Sequence, residues 1–215
     1  MIIRQVINIK IPLHYQVSNY DCGPTSLVNA LCVLFEREDI PPELIRNIML
    51  YCLDCYNLQG EEGRSGTSRL AMMYLSNWMD GYGKTGRLPI SSEYLTGKDV
   101  FIGPGSKINQ ALQCNGVVVV RLFLDEWHFI LLTGKGDGVV WAFDPYMSTE
   151  LFADHPEIGL ELDPWHYNRT IPDSCFNSEA EQLYALGPKD LREAVIIYNE
   201  KTRKHAALEQ IEYYI

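Results

Sequence analysis

The sequence predicts an α+β fold in which N-terminal helices pack on an antiparallel β-sheet. Two observations indicate this class. Helical patterns dominate up to about residue 114, whereas the clearest strands follow between residues 117 and 143, which is typical of a segregated sheet. Those strands are apolar on both faces, so the sheet is expected to be covered on both sides.

The first predicted elements are a strand over residues 2–9, where apolar and polar residues alternate, and a helix from Pro24 to about Phe35. Leu27, Leu31 and Leu34 repeat at the helical period of 3.6 residues, and a proline suits a first turn.

Three further helices are predicted. The second covers residues 41–56, and the third begins where Thr67 or Ser68 can cap it. Its apolar side is expected to carry Leu70, Met73, Tyr74 and Trp78. Residues 81–105 are rich in glycine and are expected to be mostly loop. A short fourth helix is expected from a cap at Ser106 to about Cys114.

The apolar runs 117–124, 127–133 and 139–143 predict three strands, the last two of which are joined by a glycine-rich turn. The pattern weakens after Tyr146. Residues 147–187 are expected to be mostly irregular. Residues 189–215 suit a helix, although Val195–Tyr198 would suit a strand equally well.

Composition and charge exclude several classes. Eighteen basic and 28 acidic residues give a net charge of −10, so nucleic acid is not an expected partner. No apolar run approaches the ~20 residues of a membrane-spanning helix. The N-terminal residues lack the apolar segment of a signal peptide, so a cytoplasmic location is expected, in which most of the six cysteines are free thiols.

Neither a metal nor a cofactor is expected. Cys52 and Cys55 have the spacing of half a zinc site, but no second pair follows. The two cysteines also fall one turn apart on the second predicted helix, which is ordinary core placement.

Cys22 is the cysteine whose position suggests chemistry. It lies where a loop turns into the first apolar helix, in Tyr20-Asp21-Cys22-Gly23-Pro24. The positive end of a helix dipole stabilises a thiolate, and the thiolate is the nucleophilic form of cysteine. The alternative is a purely structural role, as a small buried cysteine beside a helix cap.

His128 and Asp144 could supply the base and its orienting acid. The two residues are equidistant from Gly136 in the turn, so a hairpin that closes symmetrically there would place them opposite each other. Opposed Cβ atoms lie ~5 Å apart, which allows a carboxylate–imidazole hydrogen bond. With Cys22 they would fill the three roles of nucleophile, base and orienter. The backbone N–H of Cys22 and the side chain of Gln16 are candidate donors to an oxyanion.

The segment from Gln16 to Leu27, followed by His128-Phe129 and Asp144-Pro145, resembles papain-like cysteine peptidases, and in particular the bacteriocin-processing peptidases that cleave double-glycine leaders. The resemblance covers about residues 12–146. It implies a papain-like fold with Cys22 as nucleophile, His128 as base, Asp144 as orienting acid and Gln16 as oxyanion donor. Residues 1–146 are then expected to form the catalytic domain, and residues 147–215 a C-terminal extension packed on it.

The expected function is thiol-dependent hydrolysis of an amide bond in a peptide or protein substrate. Two alternatives stay open. The same acyl-enzyme could pass its acyl group to an amine, which would make the protein an acyltransferase or transamidase. A non-catalytic peptide-binding module would instead keep Cys22 buried away from His128.

Overall fold

The computed structural model describes residues 11–163, 165 and 167–204. Within them, seven strands form one antiparallel sheet in the order β1-β7-β2-β3-β4-β6-β5. The strands are β1 (Ile90–Thr96), β2 (Val117–Leu124), β3 (Glu126–Gly136), β4 (Val139–Phe143), β5 (Gly159–Asp163), β6 (Tyr167–Pro172) and β7 (Glu193–Asn199).

The described residues contain five α-helices: α1 (Cys22–Leu34), α2 (Pro42–Cys52), α3 (Arg69–Lys84), α4 (Lys107–Gln113) and α5 (Asp173–Phe176). Short 3-10 turns lie at Arg37–Asp39, Gly97–Asp99 and Lys189–Leu191. None of the helices in this part of the chain is long and apolar enough to cross a bilayer.

The sheet separates two hydrophobic cores. One contains side chains of α1, α2 and α3, and the other contains side chains of α4 and α5. Because every second residue of a strand points to the same face, the apolar runs of β2 and β3 supply both cores at once. The predicted α+β class, with N-terminal helices packed on an antiparallel sheet covered on both sides, is confirmed.

Several predicted elements agree closely with the structure. The bounds of β2 and β4 are those expected, Ser68 caps α3 by accepting a hydrogen bond from the Ala71 N–H, and Ser106 caps α4 in the same way. The strand alternative near Val195 is confirmed as β7. The strand predicted over residues 2–9 lies outside the described residues, as do residues 205–215.

The apolar face predicted for the third helix is wrong for three of its four residues, because only Trp78 is partly buried against the core. Leu70 is 71% exposed and Met73 and Tyr74 are also exposed, whereas the helix buries Ala71, Met72, Leu75 and Met79. The helix has apolar residues on two stripes, and its partner decides which stripe is buried. That partner is β1, which lies in the segment 81–105 that the glycine content had predicted to be loop.

Glycine in this segment serves close packing rather than a loop. A Cβ on Gly83 would lie 1.7 Å from the Ile90 carbonyl oxygen, so only glycine lets α3 end directly against β1. The prediction that residues 147–187 are mostly irregular holds for most of the segment, although β5 and β6 extend the sheet there and α5 follows them.

Strands from both halves of the chain are interleaved in the sheet. The last described strand, β7, lies between β1 and β2, and β6 lies beside β4. The division into a catalytic domain over residues 1–146 and an extension over residues 147–215 stays a prediction.

We predict that a fragment of residues 1–146 does not fold on its own. The fragment would lack β7, all seven residues of which are buried, so β1 and β2 would each lose a hydrogen-bonded neighbour. Circular dichroism and thermal unfolding of the fragment beside the full chain test this expectation. A cooperative unfolding transition in the fragment at the temperature of the full chain would contradict it.

Candidate active site

Cys22 is the first residue of α1, two residues earlier than the predicted start of the helix. The N–H groups of a first helical turn have no partner within the helix, and the positive end of the helix dipole lies beside them. Cys22 is 7% exposed. The thiol therefore lies in a largely enclosed setting that favours negative charge.

Asp21 fixes the loop before the helix. Its carboxylate accepts hydrogen bonds from the Val17 N–H (2.9 Å), the Ser18 N–H (2.6 Å), the Ser18 hydroxyl and the Thr25 hydroxyl (3.3 Å). Burial raises the pKa of Asp21, but the bonds from Ser18 and Val17 outweigh it and hold the pKa below its usual value. Sequence reasoning missed this role, although an acid directly before the cysteine is a visible signal.

The start of α1 is anchored on both sides. The Ser26 hydroxyl donates to the Phe129 carbonyl on β3 (3.1 Å), next to His128. On the other side, a Cβ on Gly23 would lie 2.3 Å from the Thr67 hydroxyl oxygen, so glycine is required for this close approach. The sulfur-bearing end of α1 is thereby held against the strand that carries the histidine.

His128 and Asp144 form the predicted hydrogen bond. The His128 Nε2–H donates to Asp144 Oδ1 at 2.7 Å, since an ionised carboxylate can only accept. His128 is 6% exposed and Asp144 is fully buried. Exclusion of water makes this charge-assisted bond stronger than it would be at a surface.

The strand pairing that brings His128 and Asp144 together differs from the prediction, because the two residues are not directly opposed. The hairpin turns at Asp137-Gly138 rather than around Gly136, and a bulge shifts the register between Leu132 and Gly134. β4 ends at Phe143, and the cross-strand partner of His128 is Leu122 on β2. Asp144 follows the last residue of β4 and reaches the imidazole ring through its side chain.

The electrostatics of the ring favour its charged form. Burial alone would lower the pKa of His128, but the hydrogen bond to Asp144 and the interaction with the Cys22 side chain raise that pKa to about 10. Because Asp144 occupies Nε2, Nδ1 is the nitrogen available to the thiol. The structure thus brings Cys22, His128 and Asp144 together around one imidazole ring.

Asp144 is held by residues that sequence reasoning missed. Its carboxylate also accepts hydrogen bonds from the Tyr146 N–H (2.8 Å) and the Tyr184 hydroxyl (2.8 Å). The Asn168 side chain accepts from the Asp144 N–H and donates to the Asp144 carbonyl, both at 2.7 Å. Burial raises the pKa of Asp144, but the bond to His128, followed by the charges of His128 and Arg169, lowers it overall.

Gln16 lines the same cavity as His128. Its backbone N–H donates to the Pro145 carbonyl (2.9 Å), which ties the loop before Cys22 to the segment after Asp144. Its side-chain Nε2 donates to the Ser18 carbonyl (2.7 Å), and its Oε1 is buried without a hydrogen-bond partner. One cavity is lined by Gln16, Asn19, Leu124, Asp125, Glu126, His128, Tyr146, Ser148, Phe152 and Arg169.

The two cysteines with half-zinc spacing are not on one helix as predicted. α2 ends at Cys52, so Cys55 lies in the following loop. The described residues include no cluster of three or more histidine, cysteine or acidic side chains that could hold a metal. All six cysteines are free thiols.

No protein-family model and no curated protein matches the chain significantly. One solved structure that resembles it is a double-glycine motif protease from an AMS/PCAT transporter in complex with the leader peptide. The match covers 77% of this chain and 91% of that chain, with a TM-score of 0.38 and 12% sequence identity. At this level of similarity, the chemistry has to be inferred from the side chains of the site itself.

Proposed function

We propose that the chain is a thiol-dependent peptidase that hydrolyses an amide bond of a peptide substrate through a papain-like arrangement of Cys22, His128 and Asp144. The observation that carries the proposal is the buried hydrogen bond between His128 and Asp144, together with a helix-start thiol that interacts with the same ring. These are the parts that nucleophilic catalysis by a cysteine requires.

The resting site holds its proton on the imidazole ring. The raised pKa of His128 keeps the ring doubly protonated at neutral pH, with Nε2–H on Asp144 and Nδ1–H directed to the sulfur. The positive ring and the N-terminal end of α1 then both stabilise a thiolate at Cys22. No further base is needed to activate the nucleophile.

Acylation follows from this arrangement. The Cys22 thiolate attacks the carbonyl carbon, and the carbonyl oxygen becomes an oxyanion. The Cys22 N–H, at the open end of the helix, and the Gln16 Nε2 donate to that oxygen. Gln16 has a hydrogen for this purpose, because only one of its two Nε2 hydrogens is given to Ser18. His128 Nδ1–H then protonates the leaving amine as the carbon–nitrogen bond breaks.

Deacylation reverses the proton's path. Neutral His128 takes a proton from water at Nδ1, the hydroxide attacks the thioester, and the thiolate leaves as the carboxylic acid product forms. Asp144 stays ionised throughout and keeps Nδ1 directed to the sulfur. Most of the residues that line the cavity beside His128 are polar, whereas transfer to an amine is favoured by an apolar site that excludes water, so hydrolysis is the better-supported reaction.

The non-catalytic alternative is less well supported. A peptide-binding module was expected to bury Cys22 away from His128, but the two side chains interact strongly enough to raise the histidine pKa. This interaction favours a reactive site.

We predict that Cys22 is the thiol that reacts fastest with substoichiometric iodoacetamide near neutral pH, measured by peptide mapping. Cys55 and Cys175 are more exposed, but burial is the largest of the causes that raise the pKa of both thiols. His128→Gln is the matched variant, because it should slow the labelling of Cys22 and leave that of Cys55 unchanged. Preferential labelling of Cys55 or Cys175 in the wild-type protein would count against the mechanism.

We predict that Gln16→Ala lowers turnover by ~100- to 1,000-fold while the Michaelis constant stays near the wild-type value, because an oxyanion donor acts mainly in the transition state. Alkylation of Cys22 should persist, since it passes through no tetrahedral oxyanion. The substrate is first selected from a peptide library with the wild-type protein.

Gln110→Ala, on the exposed face of α4, is the control for loss of a glutamine elsewhere. Wild-type turnover by Gln16→Ala would remove Gln16 from the oxyanion site. Loss of Cys22 alkylation in the same variant would instead point to a structural role for this residue.

A further inference from the structure

We infer that Tyr184 is a positioning residue of the proposed reaction. Its hydroxyl links Arg169 to Asp144 by hydrogen bonds, so the positive charge of Arg169 helps to hold the Asp144 carboxylate and thereby the orientation of His128. The inference rests on the proposed roles of Cys22, His128 and Asp144, and it extends that set by two residues from the C-terminal third of the chain.

The geometry is a continuous chain of buried hydrogen bonds. Arg169 Nε–H donates to the Tyr184 hydroxyl oxygen at 2.9 Å, and that hydroxyl donates to Asp144 Oδ2 at 2.8 Å. The other carboxylate oxygen, Oδ1, receives His128. Asp144, Tyr184 and Arg169 are all at most 1% exposed, so solvent screens none of these contacts.

The hydroxyl between the two charges has a specific consequence. An arginine placed directly on the carboxylate would form a two-point ion pair and would compete with His128 for the same oxygens. The Tyr184 hydroxyl moves the cation one hydrogen bond away. Arg169 still helps to hold the pKa of Asp144 below its usual value, while Oδ1 remains available to the imidazole.

The other hydrogen bonds of Arg169 hold its guanidinium beside Tyr184 and Asp144. Its two terminal nitrogens donate to the Asn168 carbonyl (2.9 Å) and the Tyr146 carbonyl (3.3 Å). Asn168 hydrogen-bonds both backbone groups of Asp144, and the Tyr146 N–H donates to the Asp144 carboxylate. The guanidinium thus stabilises the backbone on both sides of the Asp144 contacts. Arg169 also lines the cavity.

The backbone of Tyr184 is held in a conformation that L-residues rarely adopt, with φ of 58°. Its N–H donates to the Phe123 carbonyl (2.8 Å), and the Phe123 N–H donates to the Ala185 carbonyl (2.9 Å). Phe123 lies on β2, the strand that pairs with β3 at His128. Tyr184 and His128 are therefore positioned by the same strand. The strained backbone conformation of Tyr184 is typical of functional sites, where the surrounding contacts hold a residue in place.

Tyr184→Phe tests the inference, because it removes one oxygen atom and keeps the ring. We expect turnover to fall by roughly 10- to 100-fold with an unchanged Michaelis constant, the scale of a small misplacement of a catalytic group. Alkylation of Cys22 should slow in parallel. The proton NMR signal of His128 Nε2–H should shift, because the acceptor carboxylate loses the hydroxyl that donates to its Oδ2.

Tyr94→Phe is the matched control. Tyr94 also donates its hydroxyl to a buried carboxylate, that of Glu193 (2.9 Å), and none of the hydrogen bonds among the described residues joins this pair to Asp144, Tyr184 or Arg169. It should leave turnover, the alkylation rate and the His128 signal at wild-type values. Thermal unfolding of both variants shows how much of any loss is due to stability.

The double variant with Asp144→Asn separates positioning from general stabilisation. If Tyr184 acts through Asp144, Tyr184→Phe costs little more in the Asp144→Asn background, because the group it positions is already lost. Additive effects would overturn the inference. If Tyr184→Phe does not fold, Arg169→Lys, which keeps the charge but lacks the forked donors, gives the same test of alkylation and of the His128 signal.

The outcomes also separate this inference from the proposed function. If wild-type Cys22 is not the preferred site of alkylation, the proposed function fails. If wild-type Cys22 is preferred and Tyr184→Phe changes neither its alkylation rate nor the His128 signal, only the role of Tyr184 is overturned.

Discussion

The hydrogen bond between His128 and Asp144 is the interaction on which the rest of this site depends. A fully buried carboxylate is costly unless donors surround it, and Asp144 has three donors on its two oxygens. Those donors come from β3, from the turn after β4 and from residue 184. The donors of the Asp144 carboxylate thus come from segments that are far apart in the chain. These segments are brought together because β6 and β7 lie next to earlier strands in the sheet.

Cys22, the proposed nucleophile, is positioned by an independent set of contacts. Gly23 permits close approach to Thr67, Ser26 anchors α1 to β3, and Asp21 shapes the loop that carries Gln16. A bond from Gln16 to Pro145 then closes the loop against the segment that holds the acid. Each proposed catalytic group is therefore fixed by neighbours that do not themselves react, as preorganised sites require.

Local patterns in the sequence were enough to predict much of this arrangement. The apolar runs gave β2 and β4 their observed bounds, and the loop-to-helix transition placed Cys22 at a helix start. The contact of His128 with Asp144 was predicted from a symmetric hairpin, but the register was wrong, because turn position and bulges depend on packing that a single sequence does not show. The buried face of α3 was missed for a related reason, since β1, against which it packs, was not recognised.

Tyr184, Arg169 and Asn168 could not be predicted at all. They lie in a stretch of weak periodicity, and their roles arise only when β6 and the loop before β7 are brought to Asp144 across 24 to 40 residues of sequence separation. A lone tyrosine or arginine has no local signature of such a role. Long-range contacts of this kind are specified by the tertiary fold and not by the pattern of neighbouring residues.

In the proposed mechanism, Cys22 and Asp144 hold the His128 ring as an imidazolium. Nitrogen-15 NMR of the histidine side chains, followed across pH in the wild-type protein and in Cys22→Ala, measures this directly. We expect the wild-type His128 ring to stay doubly protonated through pH 8, because its pKa is raised to about 10, and we expect the pKa to fall when the thiol is removed. A His128 ring that loses its proton near the ordinary histidine pKa of ~6.5, with no change in Cys22→Ala, would contradict an imidazolium held by Cys22 and Asp144.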